Sequence, residues 1–178
     1  MRKTGLQRKH VRVVDRSVRA LLFLLLAVTI HGASFTSKVV GVSDGDTITV
    51  LTAAKQSVKV RLYGIDAPEA KQAFGQRAKE ELSALVAGKQ ATVEVKQKDR
   101  YGRTVGYVVV DGGVRVNVEM VRRGFAWWYR DYAKKDVELA KAETEARNAK
   151  RGLWVDKAPV PPWEFRRNAS AARKVKSK

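Results

Sequence analysis

An α+β fold, in which about three helices pack on a small closed barrel of five strands, is predicted by three observations. Five short segments alternate apolar with polar residues at the period of a strand. One helical pattern separates the third segment from the fourth, and two more follow the fifth. The chain has 178 residues, which suffices for one domain with a real core and is short for two.

The first strand is expected at residues 39–42, where β-branched residues lead into Asp44-Gly45, a dipeptide suited to a tight turn. Residues 47–51 form the second. In the third, 58–62, Val58, Val60 and Leu62 alternate with Lys59 and Arg61, so one face is core and the other carries Arg61 outward. Residues 76–86 read as a helix with Leu82, Leu85 and Val86 on one side and Gly88 just past its end. Residues 91–96 and 104–110 supply strands four and five, and Asp111-Gly112-Gly113 turns the chain. Asn117 is expected to cap a short helix, 118–123, ended by Gly124. Asp136 is expected to cap a longer one reaching about residue 150, with Leu139, Ala142, Ala146 and Ala149 inward and Gly152 beyond. Pro159, Pro161 and Pro162 then interrupt regular structure, and the basic, small-residue tail from Arg166 to Lys178 is expected to lack a fixed fold. Five strands in this order with a helix between the third and fourth point to the oligonucleotide-binding barrel, or OB-fold.

Charge is the second guide. Lys and Arg number 36 against 18 Asp and Glu, a net of +18. Residues 1–19 hold seven basic residues and one acidic, and the remainder still carries +12, which favours a polyanionic partner: nucleic acid or an anionic membrane. There is no cysteine, which excludes thiol catalysis, disulfides and cysteine metal sites. The two histidines, His10 and His31, both fall in the leader, so the folded part must work with carboxylates rather than imidazoles. Residues 20–30 are an uncharged apolar run behind a basic flank and before Gly32, Ala33 and Ser34. That layout is a secretory signal peptide, shorter than the ~20 residues of a membrane-spanning helix. The expected organisation is therefore a leader, 1–34, a barrel domain, 35–157, and a Pro-containing basic tail, 158–178. The protein is expected to be secreted or periplasmic, with tethering to the membrane by an uncleaved leader as the alternative.

Three segments carry the chemistry: Asp44-Gly45-Asp46-Thr47, the stretch from Arg61 to Glu69, and Asp99-Arg100-Tyr101-Gly102-Arg103. Asp46 opens the second strand and Asp66 follows the end of the third, and in an antiparallel meander these ends lie on one side. Two carboxylates there, with a backbone carbonyl and waters, make an oxygen site for Ca²⁺. Taken singly, each aspartate is more often a turn residue. Arg61 and Arg103 offer planar forks that match phosphate oxygens. Glu69 stands within reach of a water whose proton it could take.

In order and spacing these segments resemble the signatures of the staphylococcal nuclease (thermonuclease) family. Gly124-Phe125-Ala126 and Arg151-Gly152-Leu153-Trp154 agree as well, so the resemblance covers residues 39–154. It implies an enzyme, a calcium-dependent nuclease. Asp46 and Asp66 would hold Ca²⁺ by side chain and Ala67 by its carbonyl. Glu69 would act as general base or orient the attacking water. Arg61 and Arg103 would bind the scissile phosphate, with departure of the 5′-oxygen and 3′-phosphate ends. Arg100, Tyr101 and Tyr132 match positions that contact terminal phosphate and base. The implied substrates are DNA and RNA, single strands favoured, and a monomer is the default. Ala67 stands where the best-known member has threonine, and the segment after Glu69 is short, which leaves calcium affinity and product length open. The rivals are a non-catalytic nucleic-acid-binding module of the same fold and an envelope protein that binds anionic lipid. The second leaves Arg61, Asp66 and Glu69 without a purpose.

Overall fold

Residues whose side chains alternate along a strand can line a barrel on the inside and meet solvent or helices on the outside. In the computed structural model, which describes residues 33–176, five strands do this. They are β1 (Ser34–Val42), β2 (Thr47–Leu51), β3 (Ser57–Leu62), β5 (Gln90–Lys98) and β6 (Thr104–Val110). Between β3 and β5 lie a two-residue strand, β4 (Ile65–Asp66), and helix α1 (Gly75–Val86). After β6 come β7 (Val114–Arg115), α2 (Val116–Arg122), β8 (Trp127–Trp128), α3 (Val137–Asn148) and α4 (Pro162–Lys176). The expected leader, 1–34, lies outside the described residues except for Ala33 and Ser34, and Ser34 already belongs to β1. No helix among the described residues is long and apolar enough to cross a membrane.

The strands run in the order β3-β2-β1-β5-β6, antiparallel, and a parallel pairing of β3 with β6 closes the barrel. Register slips at Val39/Gly41 in β1 and Val95/Gln97 in β5 mark bulges, which bend and twist the wall enough to close it. Val39, Ile48, Val50, Val60, Leu62, Val93 and Val108 fill the interior. Ala78, Leu82, Leu85 and Val86 recur at helical spacing and give α1 one buried stripe against it. The result is the predicted α+β barrel of the OB-fold type, with four α-helices among the described residues where about three were expected.

Three expectations are corrected by packing. Asn117 does not cap α2, which begins at Val116 without a side-chain cap. It is buried in the core, where its Oδ1 accepts the Val108 N–H at 2.9 Å and its Nδ2 donates to the Tyr63 carbonyl at 2.8 Å. An asparagine before a helical run reads as a cap in sequence, but here the polar groups left by the β3–β6 junction claim it. Asp136 does cap α3, accepting from the Glu138 and Leu139 N–H groups. That helix ends at Asn148, which leaves Ala149 exposed rather than inward. The tail, expected to be structureless, forms α4. Pro162 occupies the first position, where a missing N–H costs nothing, and Ala169, Ala171 and Ala172 favour helix. The Trp163 ring stacks on Tyr129 at 5.2 Å and 6°.

Asn117→Ala should lower the unfolding free energy by about 2–3 kcal/mol, because it strands a buried N–H and a carbonyl. A denaturant melt showing a loss below about 0.5 kcal/mol would show that this cross-link does not hold the junction.

Candidate active site

The site begins at the β1–β2 turn. Asp44 Oδ1 accepts the Asp46 N–H at 3.0 Å, and the Ser43 N–H closes the turn on the Thr47 carbonyl at 2.9 Å. A Cβ on Gly45 would lie 2.7 Å from the Cβ atoms of both Ala67 and Ala78, so only glycine lets the turn press against α1 and the segment after β4. Asp46 is thereby delivered to Ala67, whose N–H donates to its Oδ2 at 3.1 Å. The Thr47 hydroxyl donates to Oδ1 at 3.0 Å. Asp66 follows the end of β3, as its place in the sequence predicts, and is there the second residue of β4, paired with Trp127 of β8. That pairing buries its side chain to 1 % exposure.

Arg61 lies opposite Thr47 in the β2–β3 register. Its guanidinium bridges the two aspartates: Nη1 donates to Asp46 Oδ1, and Nη2 to Asp66 Oδ1 at 2.9 Å. Burial alone would make Arg61 easier to deprotonate, but the two carboxylates reverse this and hold it protonated more firmly than usual. Burial raises the Asp66 carboxyl above the ordinary range; the Asp46 charge adds to this, and Arg166 and Arg61 oppose it. Burial and the Asp46 charge likewise push Asp44 up to about 6. The corner is one where negative charge is crowded and in want of a cation.

The other wall is the β5–β6 turn. Because β3 and β6 pair in parallel with Val60 opposite Thr104, Arg103 arrives beside the end of the barrel that holds Arg61. Asp99 organises the turn: its Oδ1 accepts the N–H groups of Tyr101 (2.9 Å) and Arg103 (3.0 Å), and its Oδ2 accepts Arg103 Nε at 2.7 Å. Tyr101 is 69 % exposed, with the Arg100 and Arg103 guanidinium groups over its ring at 4.9 and 5.6 Å. Tyr132, 58 % exposed, is held by the Tyr63 hydroxyl on its carbonyl (2.5 Å), and its ring tilts against Tyr129 at 4.8 Å.

Glu69 sits at the turn before α1, its N–H donating to Gln72 Oε1 at 3.1 Å. Its carboxylate accepts Arg166 Nη1 at 2.7 Å, and Arg166 Nη2 donates to Asp66 Oδ2 at 2.8 Å. All these groups surround one open cleft of about 710 Å³. Asp46, Arg61, Ala67, Glu69, Arg100, Tyr101, Arg103 and Tyr132 line it, and the buried Asp66 lies beneath. Nine residues singled out in the sequence are thus brought to one place. Asp44, Asp99 and Arg166 were not singled out as site residues. The first two sit inside the quoted segments as turn formers, whereas nothing in the sequence of the tail marks Arg166.

The donor chemistry fits one hard cation. Asp46 and Asp66 are crowded oxygen ligands whose pairing is costly without positive charge, and Ala67, next to Asp66 in the chain and hydrogen-bonded to Asp46 through its N–H, offers a backbone carbonyl beside them. Among the described residues no group of three Asp, Glu, His or Cys side chains converges as a metal cage. Water and backbone oxygen would have to complete the shell.

Comparisons with known proteins agree with this geometry. Residues 59–156 match the model of the family described as staphylococcal nuclease homologue. An uncharacterised endonuclease of Escherichia coli O157:H7 is 48 % identical over 142 residues, covering 80 % of this chain and 88 % of that one. A protein named micrococcal nuclease, from Shigella flexneri, is 42 % identical over 166 residues, 88 % of this chain and 94 % of its own. The staphylococcal-like nuclease CAN1 of Arabidopsis thaliana is 46 % identical over 110 residues, 62 % of this chain and 33 % of its own. With more than half its length matched by the family model and its cleft built from the family's segments, the chain belongs to the staphylococcal nuclease family.

Proposed function

We propose that this family member is a calcium-dependent nuclease that hydrolyses phosphodiester bonds of DNA and RNA, faster on single strands, and leaves 3′-phosphate ends. The observation that carries the reading is the gathering of carboxylates and arginines in one cleft. Asp46, Glu69 and Arg61 line it, with Arg61 bridging Asp46 to the buried Asp66, and Arg103 lines it from the β5–β6 turn that the β3–β6 pairing sets beside them.

Arg61 and Arg103 would each place a guanidinium fork on the non-bridging oxygens of the scissile phosphate. Both gain interaction as the phosphorus becomes five-coordinate and more negative, which is where catalysis is won. Asp46, Asp66 and the Ala67 carbonyl would hold the Ca²⁺ ion, which would supply Lewis acidity to the phosphate and to a nearby water. Glu69 takes the proton of the attacking water, which adds to phosphorus as the bond to the 5′-oxygen breaks. Arg103 is placed to offset charge on the departing oxygen. Tyr101 and Tyr132 present exposed rings on which splayed bases can stack, a contact indifferent to sequence, and Arg100 adds charge for a flanking phosphate. The basic flank and apolar run of the leader support export to the periplasm or beyond, with a membrane tether as the alternative.

Purified protein at low salt should degrade denatured DNA with Ca²⁺ and not with EGTA. Glu69→Gln should lower the rate by about 10²–10⁴-fold. Unimpaired cleavage in EGTA would sink the metal assignment, and DNA retarded on a gel without cleavage would favour the binding-module reading.

Arg61→Ala and Arg103→Ala should each reduce the rate by at least about 10²-fold, but they should differ in stability. Arg61 neutralises two buried aspartates, so its loss should cost about 3 kcal/mol in the metal-free protein, part of it recovered on adding Ca²⁺. Arg103 pairs with Asp99 on a turn where both side chains are partly exposed, and its loss should cost under about 1 kcal/mol. Equal melting temperatures for the two variants would show that Arg61 does not carry the acid corner.

A further inference from the structure

The contact made by Arg166 belongs to no step of the proposed reaction. Arg166 comes from α4, outside the barrel and about a hundred residues from its partners in sequence. Nη1 reaches Asp66 Oδ1 at 3.3 Å and Glu69 Oε1 at 2.7 Å, while Nη2 reaches Asp66 Oδ2 at 2.8 Å. Asp66 Oδ1 also accepts Arg61 Nη2 at 2.9 Å. Both oxygens of Asp66 therefore face guanidinium N–H groups.

We propose that Arg166 is a tethered cation that stands in for the divalent ion at the acid corner, and that α4 must withdraw it before that ion is held there. The proposal rests on reading Asp46 and Asp66 as cation ligands. A hard cation binds carboxylate oxygen at about 2.3–2.6 Å and presents a full double charge. A guanidinium forked onto the same carboxylate would be a like-charged neighbour within van der Waals range, so the two compete for Asp66. Arg61 is the harder of the two to move, because it stands on β3, is 20 % exposed and also holds Asp46. The Arg166 side chain is 43 % exposed, and residues 166–175 of α4 are exposed to solvent. The seat of α4 lies at its N-terminal end: Pro162 is buried, Trp163 packs on the cluster of Trp127, Ala146, Leu153 and Trp154 and stacks on Tyr129, and just before the helix Gln72 Nε2 donates to the Val160 carbonyl at 2.6 Å. Glu69 would be freed in the same movement, so one release exposes both a ligand and the base.

Calcium titrations by calorimetry on the full chain, with wild type, Arg166→Ala and Arg167→Ala at one ionic strength, test this without reading activity. Arg167 is the control: it carries the same charge in the same turn but pairs only with Glu164. Arg166→Ala should bind Ca²⁺ more tightly, on the order of tenfold, with Arg167→Ala unchanged. In wild type, Ca²⁺ should also speed amide exchange across residues 164–176. Affinity unchanged or weakened in Arg166→Ala, with wild type binding normally, would overturn the tethered cation and make Arg166 a positioning residue for Asp66. Calcium bound with no change in α4 exchange would overturn the withdrawal. Failure of all three proteins to bind Ca²⁺ would overturn the cation reading itself, and this proposal with it.

Discussion

Two aspartates that share a buried corner cannot both be ionised unless a cation lies between them, and in this protein Arg61 is that cation. A buried carboxylate loses the hydration that water gives it, and a second one nearby multiplies the penalty. Asp66 shows both effects in its raised pKa. A guanidinium donating one nitrogen to each carboxylate answers both demands at once, because its fork spans two acceptors that a lysine ammonium would meet as a point charge. The corner can exist before any substrate or metal arrives because this bridge is built into β3, with Arg166 adding a second guanidinium on Asp66.

The rest of the barrel places that bridge. Closure through β3 and β6 does two things: it fixes the strand that bears Arg61, and it sets Arg103 beside the same end. Closing pairings leave polar groups that the ladder cannot satisfy, and Asn117 takes them up from inside the core. The bare Cα of Gly45 lets Asp46 drop onto the Ala67 N–H. Each of these is a backbone device, so the distances among charged side chains depend on the main chain rather than on long flexible side chains. That is the precision electrostatic stabilisation of a phosphorane requires.

Legibility in the sequence follows the range of the interactions concerned. The five barrel strands were readable because alternation is a local pattern, and α1 and α3 because helical spacing and an Asp cap are local too. The charged segments were readable because turns bind their own side chains: Asp44 and Asp99 each hold a backbone N–H two residues on. What escaped was set by partners far away in the chain. Asn117 looked like a cap because its true partners, Tyr63 and Gly106, lie 54 and 11 residues distant. The strand character of Asp66 depends on Trp127, which pairs with it across sixty residues of chain. The tail read as structureless since its composition shows no apolar stripe, and its order involves distant partners, among them Tyr129 and the Trp127–Trp154 cluster under Trp163 and the two carboxylates that hold Arg166.

A site balanced by arginines has consequences for how ion and substrate cooperate. Asp46, Asp66 and Glu69 bring three negative charges, and Arg61 with Arg166 returns two, so the corner is nearly neutral when no ligand is bound. A corner neutralised by its own arginines would not need an ion in order to fold, in contrast to small domains whose metal is part of the fold. Adding a divalent cation to an unchanged corner would leave it positive, which weakens ion binding alone and favours a phosphate arriving with it. By linkage the preference is mutual: the phosphodiester strengthens the ion's hold as much as the ion strengthens the phosphodiester's. On the calcium-dependent reading, a protein built this way would hold its cation most firmly when nucleic acid is in the cleft, and the arginines that neutralise the resting site would set that condition.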